Sequence, residues 1–357
     1  MRRGQLGASG FLLLLASSLL GVVVPAASTK GTGLSCGQRP LLSSISASRI
    51  LGGHDAQVGA WPWSVSLQIH KAGGKFLHTC GGVLVNEDSV LTAGHCLKGR
   101  NATPGWDPYY WRAVLGAHNL WKLGEHTAKR NIRHIIVHPE FQTETFENDL
   151  ALFKLHSAVR YSNYIQPVCL PPAHLYQYID NETECFISGW GRTHCGLRGK
   201  TSPVLKEAQV EIIPSSVCNS SDAYGGLVND NMICAGSRSG GTDTCQGDSG
   251  GPLACHHSST NTYYLIGIAS FGVGCGRSRF PGIYVRLSRY RGWITSQLLL
   301  SNAAVNPVST FQRDKPSCHH RRGLDSLLKL WKERERLLQN KVKICNHLIV
   351  STNIYNS

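Results

Sequence analysis

The chain has 357 residues, with 36 Lys and Arg against 22 Asp and Glu, and 13 Cys. At 41% hydrophobic and 16% charged residues it has the material for a sizeable core, which excludes disorder throughout. The formal charge of +14 invites a nucleic-acid partner, whereas so many thiols suit an oxidising compartment and argue against a cytosolic setting.

In chain order, Arg2 and Arg3 precede an apolar run, Phe11–Val24, which the small residues Ala26, Ala27 and Ser28 follow. This pattern predicts a secretory signal peptide over residues 1–28. Left uncleaved, the same uncharged stretch would act as a signal-anchor and tether the protein to a membrane. Either outcome places the rest of the chain outside the cell or on the extracellular face of a membrane. Three N-x-Ser/Thr sequons, at Asn101, Asn181 and Asn219, then become glycosylation candidates on surface loops.

From residue 50 to 298 short apolar or alternating runs succeed one another: WSVSLQI, GGVLV, WRAVLG, IRHIIVH, DLALFKL, ECFISGW, AQVEII, YYLIGIAS and GIYVRL. Gly, Pro, Asn and Asp separate them, so an all-β barrel or sandwich is expected. SRYRGWITSQLLL then reads as a closing helix with Tyr290, Trp293, Ile294 and Leu298 on one face. Residues 299–357 form a basic tail, a linker-like stretch followed by a helix-like segment from Gly323 to Ile344. The charge divides unevenly: residues 1–49 carry +5, residues 50–298 only +3 and residues 299–357 +6. The central segment is thus mildly basic, and no nucleic-acid partner is expected.

Three places in that segment carry chemistry. In DTCQGDSGGPLAC, Ser249 sits among glycines whose backbone can approach a ligand closely. The amides of Gly247 and Ser249 could face a developing oxyanion there; a Gly-rich turn with a capping Ser is the plain alternative. In VLTAGHC, His95 follows an apolar strand end, and in NDLALFKL, Asp149 opens another. A carboxylate beside a buried strand needs a partner, since an unpaired buried charge is costly. The order His, Asp, Ser is a known order for a catalytic triad.

At these segments, and at RILGG, FISGWGRT, IASFGVGCG and PGIYV, the chain resembles the chymotrypsin/trypsin-like serine proteases over about residues 36–298. The resemblance implies two six-stranded antiparallel β-barrels with the active site between them and a C-terminal helix outside the second barrel. It implies a serine endopeptidase in which Ser249 is the nucleophile, His95 the general base and Asp149 its orienting carboxylate. Ser270 would bond near Asp149, and the amides of Gly247 and Ser249 would form the oxyanion hole. Asp243 would floor a pocket walled by Gly272 and Gly282, favouring Arg or Lys in the substrate. Cleavage after Arg49 would free the amino group of Ile50 to pair with Asp248, so the uncut chain is expected to be a zymogen.

The same resemblance pairs Cys80 with Cys96, Cys185 with Cys255, Cys218 with Cys234, Cys245 with Cys275, and Cys36 with Cys169. The last would hold the propeptide, residues 29–49, on the cut protease. Cys195, Cys318 and Cys345 remain, and their pairing stays open. No cofactor and no metal are expected: the stretch AHNLWKLGEH, where some trypsins bind calcium, has Glu125 as its single carboxylate. Partners would be protein substrates with Arg or Lys at the cleavage site, an activating trypsin-like protease and macromolecular inhibitors. Within the family, GAWPWSVSLQI, YIQPVCLP and ECFISGWGRT are most similar to acrosin and to transmembrane serine protease 12, which implies a setting in sperm function or fertilisation. The competing reading is a catalytically inactive module of the same fold that holds glycans or proteins.

Overall fold

Short apolar blocks bounded by turn residues leave little room for helices, and strands dominate. The computed structural model describes residues 36–42, 53–71, 73–98, 105–172, 175, 179, 183–192, 201–237, 240, 247–274 and 276–303. The signal segment, the activation junction and the tail beyond Ala303 lie outside them.

After a short strand β1 (His54–Asp55), the chain builds a first barrel from β2 (Ser64–Lys71), β3 (Lys75–Asn86), β4 (Ser89–Thr92), β5 (Trp111–Leu115), β6 (Ala128–Val137) and β7 (Ala151–Leu155). These close in the order β2, β3, β4, β7, β6, β5. A second barrel follows from β8 (Cys185–Gly189), β9 (Lys206–Ile213), β10 (Met232–Gly236), β11 (Pro252–His257), β12 (Thr262–Phe271) and β13 (Gly282–Arg286). Its order is β9, β10, β13, β12, β11, β8, and β8 pairs back onto β9 to close it. Every pairing within the barrels is antiparallel, and β1 adds to the edge of β9. Closure removes the free edges that an open sheet would expose.

The two expected six-stranded barrels are therefore present. Three of their strands, β4, β10 and β11, fall outside the apolar runs read above, because SVLT, MICAG and PLACHH mix Ser, Gly, Cys and His into short segments. In the first barrel Trp111 and Phe153 meet edge to face at 5.3 Å beside the buried Trp63 and Leu67. In the second, Ile187, Val210, Ile233, Leu253, Ile266 and Tyr284 fill the interior. Lys154 is also buried; its Nζ donates to Ser89 Oγ at 2.7 Å and lies 3.6 Å from Asp88. Burial pushes that ammonium pKa down.

Four disulfides staple the fold: Cys36–Cys169, Cys80–Cys96, Cys185–Cys255 and Cys218–Cys234. All four match expected pairs. The pairing of Cys245 with Cys275 and the fate of Cys195, Cys318 and Cys345 lie outside the described residues.

The bounds of the closing helix need correction. A 3-10 turn (Leu287–Arg289) comes first, and the longer helix spans Arg291–Ala303, running into the stretch read as linker. Its aromatic face meets His138, just after β6 of the first barrel: the His138 ring lies 5.3 Å from Tyr290 and 5.2 Å from Trp293. Tyr290 and Ile294 are buried in one apolar cluster with residues of both barrels, where the aromatic surface finds cover.

Candidate active site

His95 lies in a 3-10 turn (Gly94–Leu97) that leaves β4, and Cys96 beside it is tied to Cys80 of β3. Asp149 stands just before β7, fully buried. Two of the groups that meet it come from His95. The peptide N–H of His95 donates to Oδ1 at 2.7 Å, and its Nδ1 donates to Oδ2 at 2.7 Å. Ser270 of β12 supplies the third donor, from Oγ to Oδ2 at 2.5 Å. A carboxylate removed from water is tolerable only when donors replace the lost hydration, and three donors converge here. In a neutral imidazole this arrangement puts the proton on Nδ1 and leaves Nε2 with its lone pair.

The chain just before Asp149 is held with unusual care. Phe146 and Asn148 adopt left-handed backbone with φ of 59° and 53°. Such conformations cost about 1–3 kcal/mol each and persist only where surroundings enforce them. Asn148 Nδ2 donates to the Glu140 carbonyl at 2.9 Å, and its Oδ1 accepts from the Tyr290 hydroxyl at 2.8 Å. Burial, with Glu147 and Asp149 nearby, raises the Tyr290 phenol pKa, so it stays a donor.

Ser249 comes to the same place from the second barrel. Its carbonyl accepts from Gly81 N–H at 2.8 Å, one residue from Cys80. The Cys96 sulfur lies 3.8 Å from that carbonyl. Ser249 is thus anchored against the disulfide that carries the His95 turn. The flanking residues are fixed too: Gly250 N–H donates to Ala269 and Gly251 N–H to Asp248. Gly247 has a φ of 103°, where a side chain would be strained.

The Gly247 carbonyl accepts from His78 Nε2 at 2.9 Å. The other ring nitrogen, Nδ1, accepts from Ser66 Oγ at 2.8 Å. Ser66 in turn accepts from Gln68 Nε2 at 3.1 Å, and Gln68 Oε1 accepts from Arg112 Nε at 2.9 Å. A relay of side chains on β2, β3 and β5 therefore ends on the peptide plane before Asp248. Burial pushes the His78 pKa down to about 4, and the bond to Gly247 only partly opposes it. The ring is neutral near pH 7.

The Asp248 carboxylate sits against Gly189 and Gly191, the two neighbours of the buried Trp190. Gly191 N–H donates to its Oδ1 at 2.7 Å. A Cβ on Gly191 would lie 2.2 Å from Oδ2, and one on Gly189 would lie 2.0 Å from Oδ1. The acid can settle there only because both neighbours of Trp190 lack side chains.

Gly272 and Gly282 face each other: a Cβ on Gly272 would lie 3.9 Å from Gly282 Cα and 3.8 Å from the Tyr224 hydroxyl. Phe271 sits 5.5 Å from Phe146, which in turn meets the His95 ring edge-on at 5.4 Å. The aromatic wall beside His95 thus continues from Phe146 to Phe271 and to Tyr224 at 6.2 Å.

Asp243, Arg49, Ile50, Asn101 and Asn181 lie outside the described residues. Asn219 is described, and its amide is engaged. Its Oδ1 accepts from Gly226 N–H at 2.8 Å and Val228 N–H at 3.1 Å, while Nδ2 donates to the Val228 carbonyl at 2.8 Å. Among the described residues no three His, Cys, Asp or Glu side chains are grouped to hold a metal.

Sequence reasoning missed His78, Ser66 and Phe146. No motif marks them. The first two meet only through the β2–β3 register, with its irregularity after Leu67, and the third through a left-handed turn.

Two closed antiparallel barrels with a His–Asp pair between them and a Ser-bearing turn beside it define a class, the two-barrel serine peptidases. Comparison with known proteins agrees. The trypsin family model matches residues 50–294, and the chain belongs to the trypsin family. It is 41% identical over 254 residues to Transmembrane protease serine 7 of Mus musculus, a match covering 71% of this chain and 29% of that protein. The chain thus spans less than a third of that relative's length.

Proposed function

We propose that this chain is an active serine endopeptidase that cuts after Arg or Lys and is made as a zymogen opened after Arg49. The observation that carries the reading is the buried Asp149 carboxylate, bonded to both the backbone and the imidazole of His95. In the proposed reaction His95 Nε2 takes the proton of Ser249 as Oγ attacks the scissile carbonyl carbon. Asp149 steadies the imidazolium that forms. The amides of Gly247 and Ser249 stabilise the oxyanion, at about 3–4 kcal/mol for one such donor. The intermediate then collapses, the C–N bond breaks, and His95 returns its proton to the leaving amine. Water repeats the sequence on the acyl-enzyme and regenerates Ser249.

Asp243 would supply the negative charge for a substrate guanidinium or ammonium, with Gly272 and Gly282 leaving room for its stem. Ile50, once freed, would bring its ammonium to Asp248. The sequons at Asn101, Asn181 and Asn219 are proposed as glycan acceptors, the last with its Nδ2 engaged as described. The relative's name supports an extracellular or membrane-attached setting, and a role in sperm function rests on the likeness to acrosin and to transmembrane serine protease 12 alone.

The test is peptide-library profiling of the chain cut after Arg49, beside Ser249→Ala. Cleavage confined to Arg and Lys sites and lost in the variant is expected. Equal turnover by the variant, or preference for Phe or Ala sites, contradicts the reading. No turnover by either protein favours the inactive binding module.

A further inference from the structure

Residues 36–42 precede the proposed activation site, yet they are built into the second barrel. Gly37 N–H donates to Pro167 at 2.8 Å, and its carbonyl accepts from Tyr263 N–H at 2.9 Å. Gly37 has a φ of 69°, and a Cβ there would lie 2.3 Å from the Tyr263 carbonyl, so a side chain is excluded. A turn over Arg39–Leu42, with Pro40 at its second position, is closed by the bond from Leu42 N–H to the Arg39 carbonyl at 3.1 Å. Leu41 then packs on Gly59, where a Cβ would come within 2.4 Å of it.

Arg39 enters a box. Its guanidinium carbon lies 3.8 Å above the Trp61 ring, 5.1 Å from Tyr263 and 6.0 Å from Phe186. The three rings stand 5.4–6.2 Å apart, two of the three pairs edge to face. Nε donates to the Ala60 carbonyl at 2.7 Å and Nη1 to the Tyr263 hydroxyl at 3.0 Å. Nη2 lies 3.9 Å from Glu207 Oε2, which also accepts from Trp61 Nε1 at 2.5 Å. The Arg39 side chain is only 8% exposed and that of Glu207 14%. Flat aromatic faces, two neutral acceptors and a carboxylate are the complement of a guanidinium. The other oxygen of Glu207 lies 3.0 Å from His54 Nε2, and His54 follows the proposed cut. One carboxylate therefore holds residues from both sides of the Arg49–Ile50 bond.

We propose that Trp61, Phe186, Tyr263 and Glu207 form an arginine-binding site, filled by the chain's own Arg39, that retains the pro-segment after cleavage independently of the Cys36–Cys169 disulfide. The pro-segment is then a seated subunit of the cut protein and not a leash on one bond. This inference rests on the proposed cleavage after Arg49, and the experiment separates the two. In the full chain, Cys36→Ser and Cys169→Ser remove the covalent link, and the recognition sequence of a foreign protease replaces residues 44–48, so that the cut does not depend on Arg49. After complete cutting, verified by mass, gel filtration at about 0.15 M salt, where exposed charges are largely screened, reads the fraction of pro-segment that travels with the barrels. Most is expected to stay. Arg39→Ala should weaken retention about tenfold or more, Glu207→Gln comparably, and Arg39→Lys less, since the charge survives while the stacking plane is lost. Full release with Arg39 in place, or equal retention after Arg39→Ala, overturns the proposal. If the variant without the two cysteines fails to fold, a double-mutant cycle of Arg39→Ala and Glu207→Gln on the melting temperature of the native chain decides: coupled shifts support the box and additive shifts overturn it. Failure of trypsin to cut the native chain after Arg49 would instead contradict the zymogen reading and leave the box standing.

Discussion

Two histidines flank the Ser249 turn, and their surroundings set them to different tasks. His95 keeps some exposure and its Nδ1 lies 2.7 Å from the buried carboxylate of Asp149, a partner that can carry charge. His78 meets a hydroxyl and a peptide carbonyl, with no carboxylate bonded to either ring nitrogen. Burial keeps it neutral, with a pKa of about 4, and it serves as a strut for the Gly247 peptide. The same side chain becomes a base candidate or a fixed donor according to whether its partner carries charge.

The comparison breaks most sharply at Ser249 and His95. Ser249→Ala or His95→Ala should each lower kcat on an Arg peptide by about 10⁴–10⁶, and combining them should cost little more, because the groups act as a unit. Steady-state kinetics of the cut chain checks this. Asp149→Asn should cost about 10⁴ in kcat, since the amide favours the wrong imidazole tautomer. Ser270→Ala removes one charge-assisted bond and should cost about ten- to thirtyfold in kcat, with KM nearly unchanged.

His78 predicts a different signature. In the folded chain its pKa is about 4, below the ordinary 6.5 that it regains on unfolding. Between those values the unfolded state binds more protons, so stability falls as the pH drops from 6.5 towards 4, by up to about 3 kcal/mol. Above pH 6.5 this contribution is fully present. Urea unfolding at about pH 7.5 and about pH 5 measures the slope, and His78→Gln should flatten it. The same variant should lower kcat about tenfold, because Gly247 loses its prop. A substitution that left the pH slope unchanged would dissolve the contrast between the two rings. The smallest effect is expected at Phe146: Phe146→Ala should change KM several-fold and kcat little, because the ring borders His95 without bonding to it.

These predictions use residues of unequal visibility in the sequence. His95 and Asp149 are legible because each stands where an apolar strand meets a polar turn, and Ser249 because glycines crowd it. Five disulfide pairs can be read from the family resemblance, and the four that fall among the described residues are present. His78 is not legible: a His two residues before Cys80 looks like any strand residue until β2 pairs with β3 and brings Ser66 beneath it. The side to which the closing helix turns is hidden for a related reason, since its partner His138 is distant in sequence and declares itself only in space. Arg39 carries no local signal because its box draws on separate strands and loops. Local pattern marks where chemistry can occur, while the tuning of that chemistry depends on register.

The most direct test is the rate at which a fluorophosphonate labels Ser249, measured on the chain before and after cutting at Arg49. The account predicts stoichiometric labelling of the cut chain, none in Ser249→Ala or His95→Ala, and at least hundredfold slower labelling of the uncut chain. A correctly folded cut chain that takes no label, or that takes it equally without His95, would contradict it.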